Sequence, residues 1–146
     1  MINKSYLSEF KTPITDRTAE DVNNLRALLA KGYNLFTQAE KELWAKDHKG
    51  ALNASDLNRI ASNSVCLGKC LGITISSQEF LVASLPTTTQ FNTLKNNLQS
   101  VITEIKKYTS EQIPTIPNLP FNDYIKINLI EEIQLIIYNI IKDIEV

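Results

Sequence analysis

Apolar side chains recur at helical spacing in five stretches of this chain. Each stretch opens on a residue type that caps helices. Thr18-Ala19-Glu20-Asp21 has the form of a capping box, with Val22, Leu25, Leu28 and Leu29 behind it and Gly32 closing the helix. A second box, Thr37-Gln38-Ala39-Glu40, follows Leu35 and Phe36. It predicts a short helix with Ala39, Leu43 and Trp44 inward, ending near Asp47. Asn53-Ala54-Ser55-Asp56 introduces the clearest pattern, Leu57, Ile60, Ser64, Leu67 and Leu71, spaced 3-4-3-4 and stopped by Gly72. Thr87-Thr88-Thr89-Gln90 opens a seam of Phe91, Leu94, Leu98, Val101, Ile105 and Tyr108. The last helix starts near Phe121 or Asn122. It carries a wide apolar face: Leu129, Ile130, Ile133, Ile136, Ile137, Ile140, Ile141 and Ile144.

The intervening segments read differently. Residues 1–17 form an extended N-terminal arm. Residues 73–86 alternate partially through Ile73, Ile75, Phe80 and Val82 and end at Pro86, which fits a short strand or an extended connection. Pro114, Pro117 and Pro120 make residues 110–120 a stiff linker that turns the chain. The expectation is an all-α fold of about five amphipathic helices. Residues 18–72 would form a three-helix unit, and residues 87–146 a helical hairpin closed by the proline linker.

The chain has 146 residues, enough for one domain. Lysine and arginine number 15 against 16 acidic residues, so the basic surplus that phosphate neutralisation needs is missing and no nucleic-acid partner is expected. Lys106 and Lys107 are the one basic concentration, and Glu104 and Glu111 flank it. The most apolar stretch, Ile125 to Ile144, is interrupted by Lys126, Glu131, Glu132, Lys142 and Asp143, so membrane insertion is not expected either. The first residues hold no apolar stretch behind a basic start, which points to folding in a cytosol without a signal peptide.

Candidate chemistry is sparse. Cys66 and Cys70 share one helix face, but side chains one turn apart run side by side, and a zinc site needs about four ligands. They read as two small thiols in a reducing compartment. His48 reads as a solvated loop histidine. Glu131 and Glu132 point about 100° apart and read as the solvated face opposite the isoleucines. No nucleophile–base pattern or phosphate loop is present, so no catalytic residue, metal ligand or cofactor is assigned and no enzymatic activity is expected. The isoleucine face of the last helix divides between core and interface. Leu129, Ile133, Ile136, Ile137, Ile140 and Ile144 are the candidate interface.

Three stretches carry a resemblance: residues 13–22 from Pro13-Ile14-Thr15-Asp16-Arg17, residues 30–44 from Ala30-Lys31-Gly32 to Leu43-Trp44, and residues 49–60 ending in Asn53-Ala54-Ser55-Asp56-Leu57-Asn58-Arg59-Ile60. This run resembles small tail-associated structural proteins of phages, prophages and phage-tail-like bacteriocins of low-GC Gram-positive bacteria. Residues 85–144 are similar more loosely, through Leu85-Pro86-Thr87 and the proline-spaced turn. The resemblance implies a non-catalytic virion component near the baseplate or tail fibres, assembled in the bacterial cytoplasm. Its partners would be other tail, baseplate or fibre proteins and copies of itself. The alternative is a soluble helical adaptor that binds another protein. Within the motif, Asn53 and Asp56 cap a helix and Leu57 and Ile60 dock it. Asn58 and Arg59 face outward or bond to the preceding loop, with Asp16, Asp21 or Asp47 as the expected partner of Arg59.

Overall fold

A computed structural model describes residues 1–82 and 84–145. Five α-helices carry the fold: α1 (Ala19–Lys31), α2 (Gln38–Ala45), α3 (Ala54–Leu71), α4 (Thr88–Ile105) and α5 (Tyr124–Asp143). Two short 3-10 segments, Lys4–Glu9 and Tyr33–Leu35, complete it, and no strand occurs among the described residues. The fold is all-α, as the periodicity predicts. The boxes work as read. The Thr18, Thr37 and Thr87 hydroxyls accept from the backbone N–H three residues on, and Asp21, Glu40 and Gln90 reach back to the cap N–H. Gly72 ends α3 in the left-handed region at φ 75°.

The packing of these helices departs from the expected topology. α3, α4 and α5 run in the same direction. Arg59 and Asp56 of α3 lie level with Glu131 of α5, and Ile60 and Ser64 lie level with Gln134. Phe91 in the first turn of α4 meets Phe121 just before α5, with ring centroids 5.6 Å apart. At the other end, the Met1 ammonium donates to the Tyr108 hydroxyl, and Asn3 N–H donates to Cys70 O. Residues 87–146 are therefore not an antiparallel hairpin. The reason is length. About fifteen extended residues at roughly 3.1 Å each span about 45 Å, while an 18-residue helix such as α4 is about 27 Å long. The proline segment thus carries the chain back along the whole bundle, so α5 restarts where α4 started.

Residues 73–80 make the same return in front of α4. Ile75 lies against Gly68, and Phe80 lies against Asn58. This segment is an extended connection and not a strand; position 83 within the expected span lies outside the described residues. The N-terminal arm is the third return. It is not fully extended, because residues 4–9 wind into a 3-10 helix. Its contacts run from Asn3 at Cys70, through Lys11 at Asn63, to Arg17 at Asp56. The arm therefore lies antiparallel along all of α3.

Three parallel helices and three returns build one core. It holds Leu57, Ile60, Leu67 and Leu71 from α3, Leu94, Leu98, Val101 and Ile105 from α4, and Ile130, Ile133, Ile137 and Ile141 from α5. α1 and α2 stand apart as a hairpin projecting from the end where α3, α4 and α5 begin, here called the N-terminal pole. The three-helix grouping of residues 18–72 is thereby replaced: α3 packs with α4, α5 and the arm, while α1 packs with the turn that follows it. Only Leu28 is buried in α1 and no residue is buried in α2; of the expected inner face, Ala39 and Leu43 are left exposed and Trp44 is exposed except where its ring meets Phe36.

Candidate functional site

A four-charge cluster forms where the arm, α3 and α5 meet. Arg17 donates through Nη2 to Asp56 Oδ1 at 3.0 Å and to Glu131 Oε2 at 2.7 Å. Arg59 donates through Nη2 to Asp56 Oδ1 at 2.8 Å and Glu131 Oε2 at 2.9 Å, and through Nε to Glu131 Oε1 at 2.5 Å. Asp56 Oδ2 remains for the Asn53 backbone N–H at 2.9 Å. Glu131 is completely buried and Arg17 is 5% exposed. Two guanidinium groups balance two carboxylates, and each carboxylate oxygen has a donor. Burial opposes the charge on Arg59, but the hydrogen bonds to Glu131 and Asp56 outweigh it and hold its pKa above the ordinary value.

This cluster corrects two expectations. Glu131 does not lie on a solvated face, although Glu132 does. Arg59 pairs with Asp56 and Glu131 rather than with Asp16, Asp21 or Asp47. No local pattern announces Glu131, which lies 72 positions along the chain from Arg59. One clue was the choice of residue. Arginine occurs at positions 17, 26 and 59 only, against 12 lysines, and it suits a buried bidentate pair where lysine does not.

Three asparagines on the bundle helices hold the returning segments by their backbones. Asn63 accepts from Lys11 N–H at 2.8 Å and donates to Lys11 O at 2.9 Å. Asn128 does the same to Arg17 at 3.2 and 2.8 Å, and Asn58 to Phe80 at 2.7 and 3.0 Å. A carboxamide presents one donor and one acceptor, so it takes the place of a neighbouring strand for an extended residue. Asn58 thus faces a return segment, neither solvent nor the loop preceding α3.

The other candidates serve the fold. Cys66 and Cys70 are buried beneath the arm, and the Cys66 thiol donates to Tyr6 O at 3.1 Å. Contact with the Cys70 side chain, together with burial, pushes the Cys66 thiol well above its ordinary pKa and away from thiolate chemistry. His48 is buried rather than solvated. Its Nδ1 accepts from Gly50 N–H at 2.9 Å, and its carbonyl accepts from Ala51 N–H and the Asn53 amide. Among the described residues, no three His, Cys, Asp or Glu side chains are grouped to hold a metal ion. No helix there is long and apolar enough to cross a membrane.

The candidate interface on α5 is occupied from within. Ile133, Ile137 and Ile140 are buried in the chain's own core, and Leu129, Ile136 and Ile144 pack against it. The exposed apolar side chains lie elsewhere. Leu29, Tyr33, Leu35, Leu43 and Trp44 project from the hairpin, with Leu35 69% exposed. Leu52, Leu81, Val82, Leu85 and Ile125 lie in the loops and first turn around the starts of α3, α4 and α5. All ten belong to the N-terminal pole or the hairpin projecting from it. Of the large apolar residues exposed among those described, only Met1 and Tyr108 sit at the opposite end.

The same pole holds a cleft of about 380 Å³ between the hairpin and the bundle. Val22, Asn23 and Arg26 of α1, Lys49 to Leu52 of the loop, and Phe121 to Tyr124 line it. Its shape depends on Gly50. A Cβ there would lie 2.2 Å from Asp21 O, so the loop touches α1 backbone to backbone.

Comparison with known proteins finds no family model, curated protein or solved structure that matches the chain.

Proposed function

We propose that this chain is a non-catalytic structural protein of a phage tail or phage-tail-like particle, acting in baseplate or tail-fibre assembly. It meets its neighbours through the N-terminal pole. The interaction reading is carried by the one-ended distribution of exposed apolar side chains, because apolar side chains left in water and gathered toward one end of a folded chain favour a contact there. The tail assignment draws on the resemblance of residues 13–72, whose Asn53–Ile60 motif supplies the cap, the docking residues and half of the buried charge cluster. His48, Cys66 and Glu131, side chains suited to chemistry, are each engaged in hydrogen bonds that hold the fold.

The test uses the bacterium that encodes the chain. After prophage induction and density-gradient separation, the chain should band with tail particles. A variant carrying Leu35→Asp and Trp44→Asp should stay in the low-mass fractions while its bundle remains folded. A wild-type chain found only in low-mass fractions overturns the tail reading.

The adaptor reading stands second, favoured by the burial of Ile133, Ile137 and Ile140 inside the chain itself. That burial removes the α5 face as a reason for self-association. Light scattering across a concentration series separates the two: concentration-dependent growth supports multi-copy assembly, and a constant monomer mass supports an adaptor.

A further inference from the structure

We propose that Gln134 sets the register of α5 against α3 and gives up stability to do so. The apolar core positions of α5 do not select one alignment by themselves. Its buried aliphatic residues are all isoleucine: Ile127, Ile130, Ile133, Ile137, Ile140 and Ile141. A slide of four residues, about 6 Å along the axis, puts Ile137 where Ile133 stood and Ile141 where Ile137 stood. A slide of seven puts Ile137 at the place of Ile130 and Ile140 at that of Ile133. Equal side chains in equal places bury about the same apolar area, so hydrophobic burial separates these registers weakly.

The other two buried residues of the helix, Glu131 and Gln134, are polar. Glu131 is held by Arg17 and Arg59, whose guanidinium groups sit on long stems that can follow a displaced carboxylate. Gln134 is held by α3 at short range. Its Nε2 donates to Ile60 O at 2.7 Å and to Ser64 Oγ at 3.0 Å. A backbone carbonyl inside a helix and a hydroxyl on one carbon have no such reach. The amide orientation follows from the chemistry: Ile60 O can only accept, so the atom facing it is the nitrogen. Gln134 Oε1 then has no donor among the described residues, although the side chain is completely buried. An unmet buried acceptor costs stability, and an apolar side chain of similar shape removes that cost. Single polar residues in aliphatic helix seams fix alignment at the same kind of cost. The alignment matters for the pole, because Phe121, packed on Phe91, and the exposed Ile125 lie at the start of α5 and move with it.

The test is Gln134→Met in the full chain, with Gln134→Leu beside it in case methionine disturbs folding. The midpoint of urea unfolding should equal or exceed that of the wild type. In the amide NMR spectrum, residues 121–143 should broaden or show a second set of resonances at a population of about 1–10%. Those of α1 and α2 should keep single wild-type positions. Ser64→Ala, which keeps the bond to Ile60 O, should retain one set throughout. A lower midpoint in both Gln134 variants overturns the assignment, because Gln134 is then a net stabilising contact. A single sharp set of α5 resonances overturns it as well, because Glu131 and Asn128 then fix the register without Gln134.

Discussion

The bundle and the hairpin are built from the same local grammar, yet they differ in what holds them. α1, α2 and α4 all begin with a threonine capping box, and α3 has the analogous Asn53–Asp56 pair. α3 nevertheless buries eleven residues, α1 buries one and α2 none. The hairpin relies on short-range contacts: Phe36 against Trp44 with centroids 5.6 Å apart, Lys41 over Tyr33, and the Lys31–Glu40 pair. The bundle adds contacts between residues far apart in sequence: the ion cluster, the asparagine clamps and the shared core. A capping box thus fixes where a helix starts and says little about how firmly it is held, because most helix stability comes from tertiary packing.

The largest effect should follow from breaking the ion cluster. Glu131→Ala leaves Arg17 and Arg59 buried with Asp56 as their only carboxylate, and it should lower global stability by about 3–5 kcal/mol in urea unfolding. A loss below about 1 kcal/mol would show that water or rearrangement relieves the charge and that the cluster does not lock the arm to the bundle.

Next comes the contrast between the two regions. Ile137→Ala removes a fully buried side chain and should cost about 2–5 kcal/mol. Leu35→Ala, equally apolar in sequence, should change stability by no more than about 0.5 kcal/mol. Trp44 is the single tryptophan and lies in the hairpin, so its fluorescence reports that region while circular dichroism reports mainly the bundle. The fluorescence midpoint in urea should fall below the dichroism midpoint. Coincident midpoints would mean the hairpin unfolds together with the bundle, as two-state behaviour requires.

Asn63→Ala tests the clamps. It leaves the Lys11 N–H and C=O without their helix partner and should cost about 1–3 kcal/mol. The loss should be concentrated in faster amide exchange over residues 4–16. Uniform acceleration across α3 and α5 would instead make Asn63 part of the global core.

How much of this was legible follows from the range of each signal. Helix ends were readable because caps and stops act within four residues. The core faces of α3, α4 and α5 were readable because burial repeats with the helical period. Direction was not, since a long proline-marked connection fits a reversal as easily as a full-length return. Glu131 was misread because a charge among isoleucines looks solvated until the arginines that satisfy it, 72 and 114 positions away, are brought beside it. His48 was misread for a related reason: a polar loop hides the inward hydrogen bond from Gly50. The hairpin ran the other way. Its apolar periodicity predicts burial that the fold does not supply, and that mismatch between pattern and packing is what marks the N-terminal pole.

The smallest effect should come from acid acting on the hairpin. The hydrogen bond from Lys31, followed by that from the Thr37 backbone N–H, holds the Glu40 carboxyl below its ordinary pKa. A carboxyl depressed in the folded state contributes stability above its unfolded pKa of about 4.3. That contribution is lost as pH falls through the lower folded value. Between pH 5 and 3, at about 25 °C, the Trp44 signal should therefore shift toward its unfolded value before the dichroism of the bundle changes. Glu40→Gln should flatten this early shift, because the amide keeps an acceptor for Thr37 N–H but no longer titrates. Glu40 is exposed enough for salt to screen its pairing with Lys31, so raising the ionic strength should mimic part of the substitution. If the bundle signal moved first, the hairpin would lose its standing as the looser of the two regions.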